Sequence, residues 1–157
     1  MSAMFPYQIL GMVDKENYRI VYHPAKNIDS ERLKGITRQD FVERLKSLVY
    51  REKQKGEKGL CIILDCTDLD LPTSFLLKSF GIWYLESMME CFEESLRIIV
   101  YNLQPWMIPF FLSQVNATLK KCIVFGNSID TTHFDKWVHW SEVMSEVMSE
   151  VKVVNQS

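Results

Sequence analysis

Apolar residues along this chain come in two patterns, short solid runs and one-sided stripes, and the two alternate. YQILGMV (residues 7–13), the turn residues Asp14 to Asn17, and YRIVY (residues 18–22) predict an opening β-hairpin. Pro24 lacks an N–H, so it either ends the second strand or confines it to an edge. Residues 27–36 are polar and loop-like. Thr37-Arg38-Gln39-Asp40 resembles a capping box with Asp where Glu is commoner. Behind it Phe41, Leu45, Leu48 and Val49 recur at helical spacing, with Arg38, Glu43, Arg44, Lys46 and Glu52 on other faces, which predicts an amphipathic helix ended by KQKGEK (residues 53–58). LCIIL (residues 60–64), ending in Asp65, predicts a central strand covered on both faces. Pro72-Thr73 opens a long helix to about residue 92. Its stripe of Phe75, Leu76, Phe80, Trp83, Tyr84, Met88 and Phe92 is broadened by Leu77, Ile82, Leu85 and Met89.

IIVY (residues 98–101) and CIVF (residues 122–125) predict two further buried strands, the latter ended by Gly126-Asn127. Between them residues 106–119 form a candidate helix interrupted early by Pro109. The tail from residue 133 contains the tandem SEVMSEVMSEV (residues 141–151), which puts Val143, Val147 and Val151 near one stripe and Glu142, Glu146 and Glu150 near another, the pattern of an amphipathic helix. Fully apolar strands alternating with helices after a hairpin give an α/β sandwich with a mixed, largely parallel sheet flanked by helices, joined by right-handed crossovers.

At 157 residues the chain has the size of one domain, and with 47% hydrophobic and 24% charged residues it can bury a core without staples. A net charge of −2 creates no field that favours nucleic acid. Cys61, Cys66, Cys91 and Cys122 form no C-x-x-C pair, and His23, His133 and His139 lack ligand spacing, so neither a metal site nor a cofactor is expected. Reduced core thiols, the absence of a basic region followed by an apolar stretch in MSAMFPYQIL, and the consequent discounting of the sequons at Asn116 and Asn155 point to a cytoplasmic protein.

Catalytic motifs fail on inspection. No G-x-G-x-x-G, Walker loop or G-x-S-x-G elbow occurs, and no acid–base or nucleophile set is visible, so enzymatic activity is not expected. Asp65, Asp68 and Asp70 follow a strand's carboxyl end, where α/β folds place their sites, and could chelate Mg²⁺. The plainer expectation is that Asp65 and Thr67 satisfy loop backbone groups and cap the next helix.

No formal charge falls between Arg97 and Lys120. That length alone would suit a membrane span, but Asn102, Gln104, Pro105, Pro109, Gln114 and Asn116 interrupt it and would leave backbone groups unsatisfied in lipid. Trp106, Met107, Ile108, Phe110, Phe111 and Leu112 cover more angle than one buried face requires. Such a helix meets core on both sides or something apolar on its second side.

Three stretches, in order, resemble the CRAL-TRIO lipid-binding family, named for cellular retinaldehyde-binding protein and the Trio exchange factor. GMVDKENYRIVY (residues 11–22) is similar to its opening hairpin. CIILDCTDL (residues 61–69) is similar to its central strand with a terminal Asp. CFEESLRIIVYNLQPW (residues 91–106), followed by KKCIVF (residues 120–125), is similar to the "Tyr-Pro-Glu-x-Leu", strand, "Asn-x-Pro-Trp", gate helix and "Lys-Ile" series. The resemblance spans about residues 7–128. It implies a CRAL-TRIO-like lipid-binding domain over residues 1–132, without the helical bundle that precedes it in many members, and a C-terminal amphipathic helical tail over residues 133–157. The expected function is non-enzymatic binding, and transfer, of a lipid or other small hydrophobic molecule in an apolar pocket closed by a gate helix at residues 105–119. The implied ligand-binding residues are Phe75, Phe80, Tyr84, Ile99, Tyr101, Trp106, Ile108, Phe111 and Leu112, with a membrane surface as transient partner.

The chain departs from the family pattern in a gate shorter by roughly one helical turn. It also has one extra residue between Asn102 and Pro105, no closing Leu-Pro and Gly-Gly pattern, and no match to the inositol-headgroup lysine. These departures support an alternative. In it, a pocketless module of the same scaffold binds a small GTPase, its regulator or another protein partner, with Trp137, Trp140 and the Val/Met stripe of the tail docking a partner helix. A third arrangement, an anti-sigma-antagonist-like switch using Ser74, fits the strand–helix layout but not the third stretch.

Overall fold

The computed structural model describes residues 8–25, 35, 37, 39–40, 43, 47, 58–69, 96–114 and 117–156. They build an α/β fold on a five-stranded, mixed, mostly parallel sheet. Strands β1 (Gln8–Val13) and β2 (Arg19–Pro24) form the antiparallel hairpin; β3 (Leu60–Asp65), β4 (Leu96–Tyr101) and β5 (Ile123–Gly126) follow parallel to β2, in the spatial order β1-β2-β3-β4-β5. Pro24 ends β2, which lies inside the sheet rather than at its edge. The run 60–65 is the middle strand, as its unbroken apolar character predicts. Of the first amphipathic helix, Gln39, Asp40, Glu43 and Ser47 are described; all are helical and exposed. The Asp40 N–H donates to Thr37 Oγ1 at 3.1 Å, one half of the expected capping box. The long helix expected over residues 72–92 lies outside the described residues.

Alternation along the strands sorts the sheet into two faces. Cys61, Ile63 and Asp65 stand opposite Arg97, Ile99 and Tyr101, and Ile99 and Tyr101 stand opposite Val124 and Gly126. This face carries a core cluster of Leu10, Ile20, Tyr22, Cys61, Ile63 and Ile99. Its cover is the C-terminal segment: a 3-10 turn (Thr132–Lys136) contributes Phe134, and the loop and helix behind it contribute Trp137, Val138, Trp140, Val143 and Val147. The other face carries Val21, His23, Leu60, Ile62, Ile98, Val100 and Ile123, all buried. Between β4 and β5 run helices α1 (Ile108–Gln114) and α2 (Ala117–Lys120); the C-terminal helix α3 spans Trp140–Gln156.

The segment set apart at residue 133 is therefore a layer of the fold. Trp137 and Trp140, expected to dock a partner helix, are buried against the sheet, and Val143 and Val147 are buried with them. The amphipathic period shows that one side of α3 wants cover; it does not say whose, and here the sheet supplies it.

Two devices hold this layer. At the β5 end, a Cβ on Gly126 would lie 2.5 Å from the Phe134 ring, so only glycine lets the aromatic ring sit on the strand. Gly126→Ala is expected to lower stability by about 1–3 kcal/mol through displacement of that ring; an unchanged urea midpoint would mean the ring has room to move aside. At the opposite end of β4, Arg97 Nη1 pairs with Asp14 Oδ2 at 3.2 Å and Nη2 pairs with Glu16. The guanidinium stands 4.3 Å from the Tyr18 ring centre and 5.2 Å from that of Trp137. Asp14 Oδ1 also accepts the N–H groups of Glu16 and Tyr18, each at 2.9 Å, which shapes the hairpin turn around Asn17 (φ 74°). The Lys15 N–H donates to the Trp137 carbonyl at 2.8 Å, tying that turn to the C-terminal segment.

Candidate functional site

The uncharged stretch leaves β4 through Asn102, which takes a left-handed conformation (φ 60°). Gln104 is extended (ψ 134°), as a residue before proline prefers to be, and a 3-10 turn follows over Pro105–Met107, closed by the Met107 N–H on the Gln104 carbonyl at 2.9 Å. Pro109 falls in the first turn of α1, where its missing N–H breaks no helical bond, so it helps to start the helix rather than interrupt it. α1 has no acidic residue in its first turn and no basic one in its last, so its ends lack the charges that usually complement a helix dipole.

Ile108, Phe111 and Leu112 share one stripe of α1 by their i, i+3, i+4 spacing, and all three are half-buried. The Phe111 ring meets Phe125 of β5 edge to face, centres 5.8 Å apart and planes at 88°. Phe125 stands opposite Val100, so α1 lies toward the face of Ile98 and Val100. Trp106 is 43% exposed, with its indole N–H donating to Gln104 Oε1.

The expected ligand-binding residues are thus divided. Ile108, Phe111 and Leu112 come together, and Trp106 stands exposed beside them. Ile99 and Tyr101 turn to the opposite face: Ile99 is in the cluster under the C-terminal segment, and the Tyr101 ring lies 4.8 Å from Trp140 and 6.1 Å from Phe134. They do not join the α1 side, and Ile98 and Val100 take their place. Strand alternation is the reason: in the apolar run IIVY (residues 98–101) each position fits either face, and only register decides. Phe75, Phe80 and Tyr84 lie outside the described residues.

At the carboxyl ends of the parallel strands the polar residues converge. Buried Asp65 accepts the Tyr22 hydroxyl on Oδ2, and on Oδ1 it accepts both the Thr67 hydroxyl and the Thr67 N–H, the latter at 2.9 Å. Asn102 Nδ2 donates to Thr67 Oγ1 at 2.8 Å, and Asn102 Oδ1 accepts the Ser128 N–H at 2.9 Å. Asp65 thus satisfies the Thr67 N–H within the loop, the first half of the plainer expectation; the helix that the two residues were expected to cap lies outside the described residues. Asp68 is exposed, Asp70 is outside the described residues, and among the described residues no group of three His, Cys, Asp or Glu side chains is placed to hold a metal ion. Burial, and then the hydrogen bond to Asp65, holds the Tyr22 phenol far above its ordinary range. Burial pushes the Cys66 thiol up to about 12, with Asp65 adding to it, and raises Cys61 as well, so both thiols stay protonated at neutral pH. Tyr22, the partner of Asp65, was not visible as such in the sequence; the two are brought together only by the parallel register of β2 on β3.

Among the described residues no helix is long and apolar enough to cross a membrane. The chain matches no protein-family model, and no curated protein matches it.

Proposed function

We propose that this chain is a non-enzymatic, CRAL-TRIO-like domain that binds a lipid or other small hydrophobic molecule. The ligand lies beside the sheet face of Ile98, Val100 and Phe125, under the uncharged segment that contains α1. The observation that carries this reading is the half-buried stripe of Ile108, Phe111 and Leu112. Its Phe111 ring is set against Phe125, in a segment without a single formal charge. Each methylene that such a surface takes out of water is worth about 0.8 kcal/mol, enough for an acyl or isoprenoid chain to be held without polar recognition. Exchange requires the segment to lift. A seven-residue helix has little stability of its own and lifts at low cost once its side-chain contacts are replaced by ligand or lipid. Trp106, exposed at the start of the segment, suits a transient membrane surface, where an indole sits at the interface. The pocketless alternative has less support, because Trp137, Trp140, Val143 and Val147 of the tail surface it would use for docking are packed on the sheet, which leaves Met148 exposed.

The test is native mass spectrometry of freshly purified protein, followed by solvent extraction. Wild-type protein is expected to carry a discrete hydrophobic species, and Phe111→Asp is expected to lose it with its circular dichroism unchanged. Equal lipid content in the variant would remove the site from α1, and an empty wild-type protein that takes up no fluorescent fatty acid or phospholipid would favour the interaction module.

A further inference from the structure

We infer that Asn102 is a latch: its side chain fastens the base of the uncharged segment to the loops after β3 and β5, and its release frees residues 103–114 and 127–131 while the sheet stays folded. The latch is made of hydrogen bonds and works whether or not the apolar face takes a ligand.

Three demands meet at this residue. The backbone is left-handed, which excludes β-branched and bulky side chains and favours glycine, asparagine or aspartate. An acceptor is required for the Ser128 N–H, and a donor for Thr67 Oγ1. Glycine meets only the first demand and aspartate the first two; the carboxamide meets all three. The bonds also converge on one carboxylate. Asn102 donates to Thr67, Thr67 donates to Asp65, and Tyr22 donates to the other oxygen of the same carboxylate. The Thr67 hydroxyl, polarised by the Asp65 carboxylate to which it donates, is the better acceptor for Asn102, so those two bonds strengthen each other. The inner end of this set of bonds is buried at Tyr22 and Asp65, whereas Thr67 and Asn102 are half-buried, within reach of competing water. The outer bond is therefore the one that opens first.

Asn102 also stands where both of the pieces it fastens begin. The Asn102 N–H donates to the Gly126 carbonyl at 3.0 Å, the last rung between β4 and β5, and beyond that rung the two chains part. One enters Pro105–Met107 and α1. The other makes a tight turn in which Asn127 Oδ1 accepts the N–H groups of Ile129 (2.9 Å) and Asp130 (2.8 Å), presenting Ile129 to solvent. The Ser128–Asn102 bond is the tie across this fork. Two apolar tips, Trp106 and Ile129, thus hang from one carboxamide, and they move together when it lets go.

Amide hydrogen exchange on the full chain, read by mass spectrometry, tests the latch. Thr67→Val and Asn102→Gly each remove the Asn102–Thr67 bond at the base of the segment and are each expected to speed exchange of residues 103–114 by about tenfold, with residues 60–64 unchanged; Asn102→Gly, which also loses the Ser128 bond, is expected to speed residues 127–131 as well. Thr67→Ser, which keeps the hydroxyl, is expected to restore wild-type rates. Asn102→Asp, which keeps the acceptor and loses the donor, is expected to leave residues 127–131 protected while residues 103–114 exchange faster. If Asn102→Gly does not fold, the Thr67→Val and Thr67→Ser pair decides alone, since it leaves the strained backbone untouched. Unchanged exchange of residues 103–114 in Thr67→Val, or a rise spread equally over β3 and β4, would overturn the latch.

Discussion

Phe134→Ala is expected to cost about 3–5 kcal/mol of unfolding free energy, seen as a drop in the urea midpoint at constant slope. Phe134 is wholly buried, 0% exposed, in a segment outside the βαβ succession. Its ring centre lies 4.5 Å from that of Trp140 and 6.1 Å from that of Tyr101, and the ring sits on the bare backbone of Gly126. Removing it leaves a cavity bounded by the β5 backbone and by Tyr101 and Trp140, and that backbone and the Trp140 end of α3 cannot collapse into the space without unpairing β5 or tilting α3. A domain of this size has about 5–15 kcal/mol in all, so one ring in the C-terminal segment accounts for a large share of the fold. Phe134→Leu, which fills part of the volume, is expected to lose less than half as much. Deleting residues 133–157 uncovers the whole cluster of Ile20, Cys61, Ile63 and Ile99, and the truncated chain is expected not to fold. A truncated chain with sharp near-ultraviolet circular dichroism, or a Phe134→Ala loss below about 1 kcal/mol, would show the segment to be dispensable to the core.

The strands were legible and the layers were not, for a physical reason. A run such as LCIIL or IIVY is short, β-branched and bounded by turn residues, and local pattern alone places it within about two residues. The cover of a sheet face is a long-range choice. Phe134, Trp137, Val138 and Trp140 are spread over a 3-10 turn, a loop and the first residue of α3, so no single period relates them, and the pattern shows only the regular part that begins at Trp140. The same limit divided the candidate site. Ile99 and Tyr101 looked equivalent to Ile98 and Val100 because all four are apolar or aromatic. One residue of register sends two of them under the C-terminal segment and two toward Phe125. What was legible in the site is what depends on local composition: the uncharged stretch, its proline-led start and the stripe of Ile108, Phe111 and Leu112. Polar partners followed the rule for layers. Asp65 and Thr67 are neighbours and their bond was foreseeable; Tyr22 and Asn102 reach them only because β2, β3 and β4 lie in that order.

Acid is expected to destabilise this fold through a single histidine. His23 is 2% exposed, on the β2 position opposite Leu64, and burial lowers its imidazole from 6.5 to about 4. The native state therefore keeps His23 neutral where the unfolded chain already binds a proton. Unfolded chains hold more protons over that interval, so stability is fully present above about pH 6.5, falls as pH falls toward about 4, and loses no more on this account below it. The loss amounts to on the order of 3 kcal/mol across the window, at a slope no steeper than about 1.4 kcal/mol per pH unit. His133 and His139 are exposed, and they belong equally to a His23→Leu control. The difference between the two proteins from pH 7 to pH 5, ahead of most carboxylate titration, therefore isolates the buried imidazole. Urea midpoints at half-unit steps are expected to fall for the wild type and stay nearly level for His23→Leu. Parallel curves would mean that the imidazole takes up its proton in the folded state and that β2 opens to water at this position. A steeper fall in the wild type alone would place the face of Val21, His23 and Ile62 among the most thoroughly desolvated parts of the sheet, as an apolar ligand or a complete helical cover on that side requires.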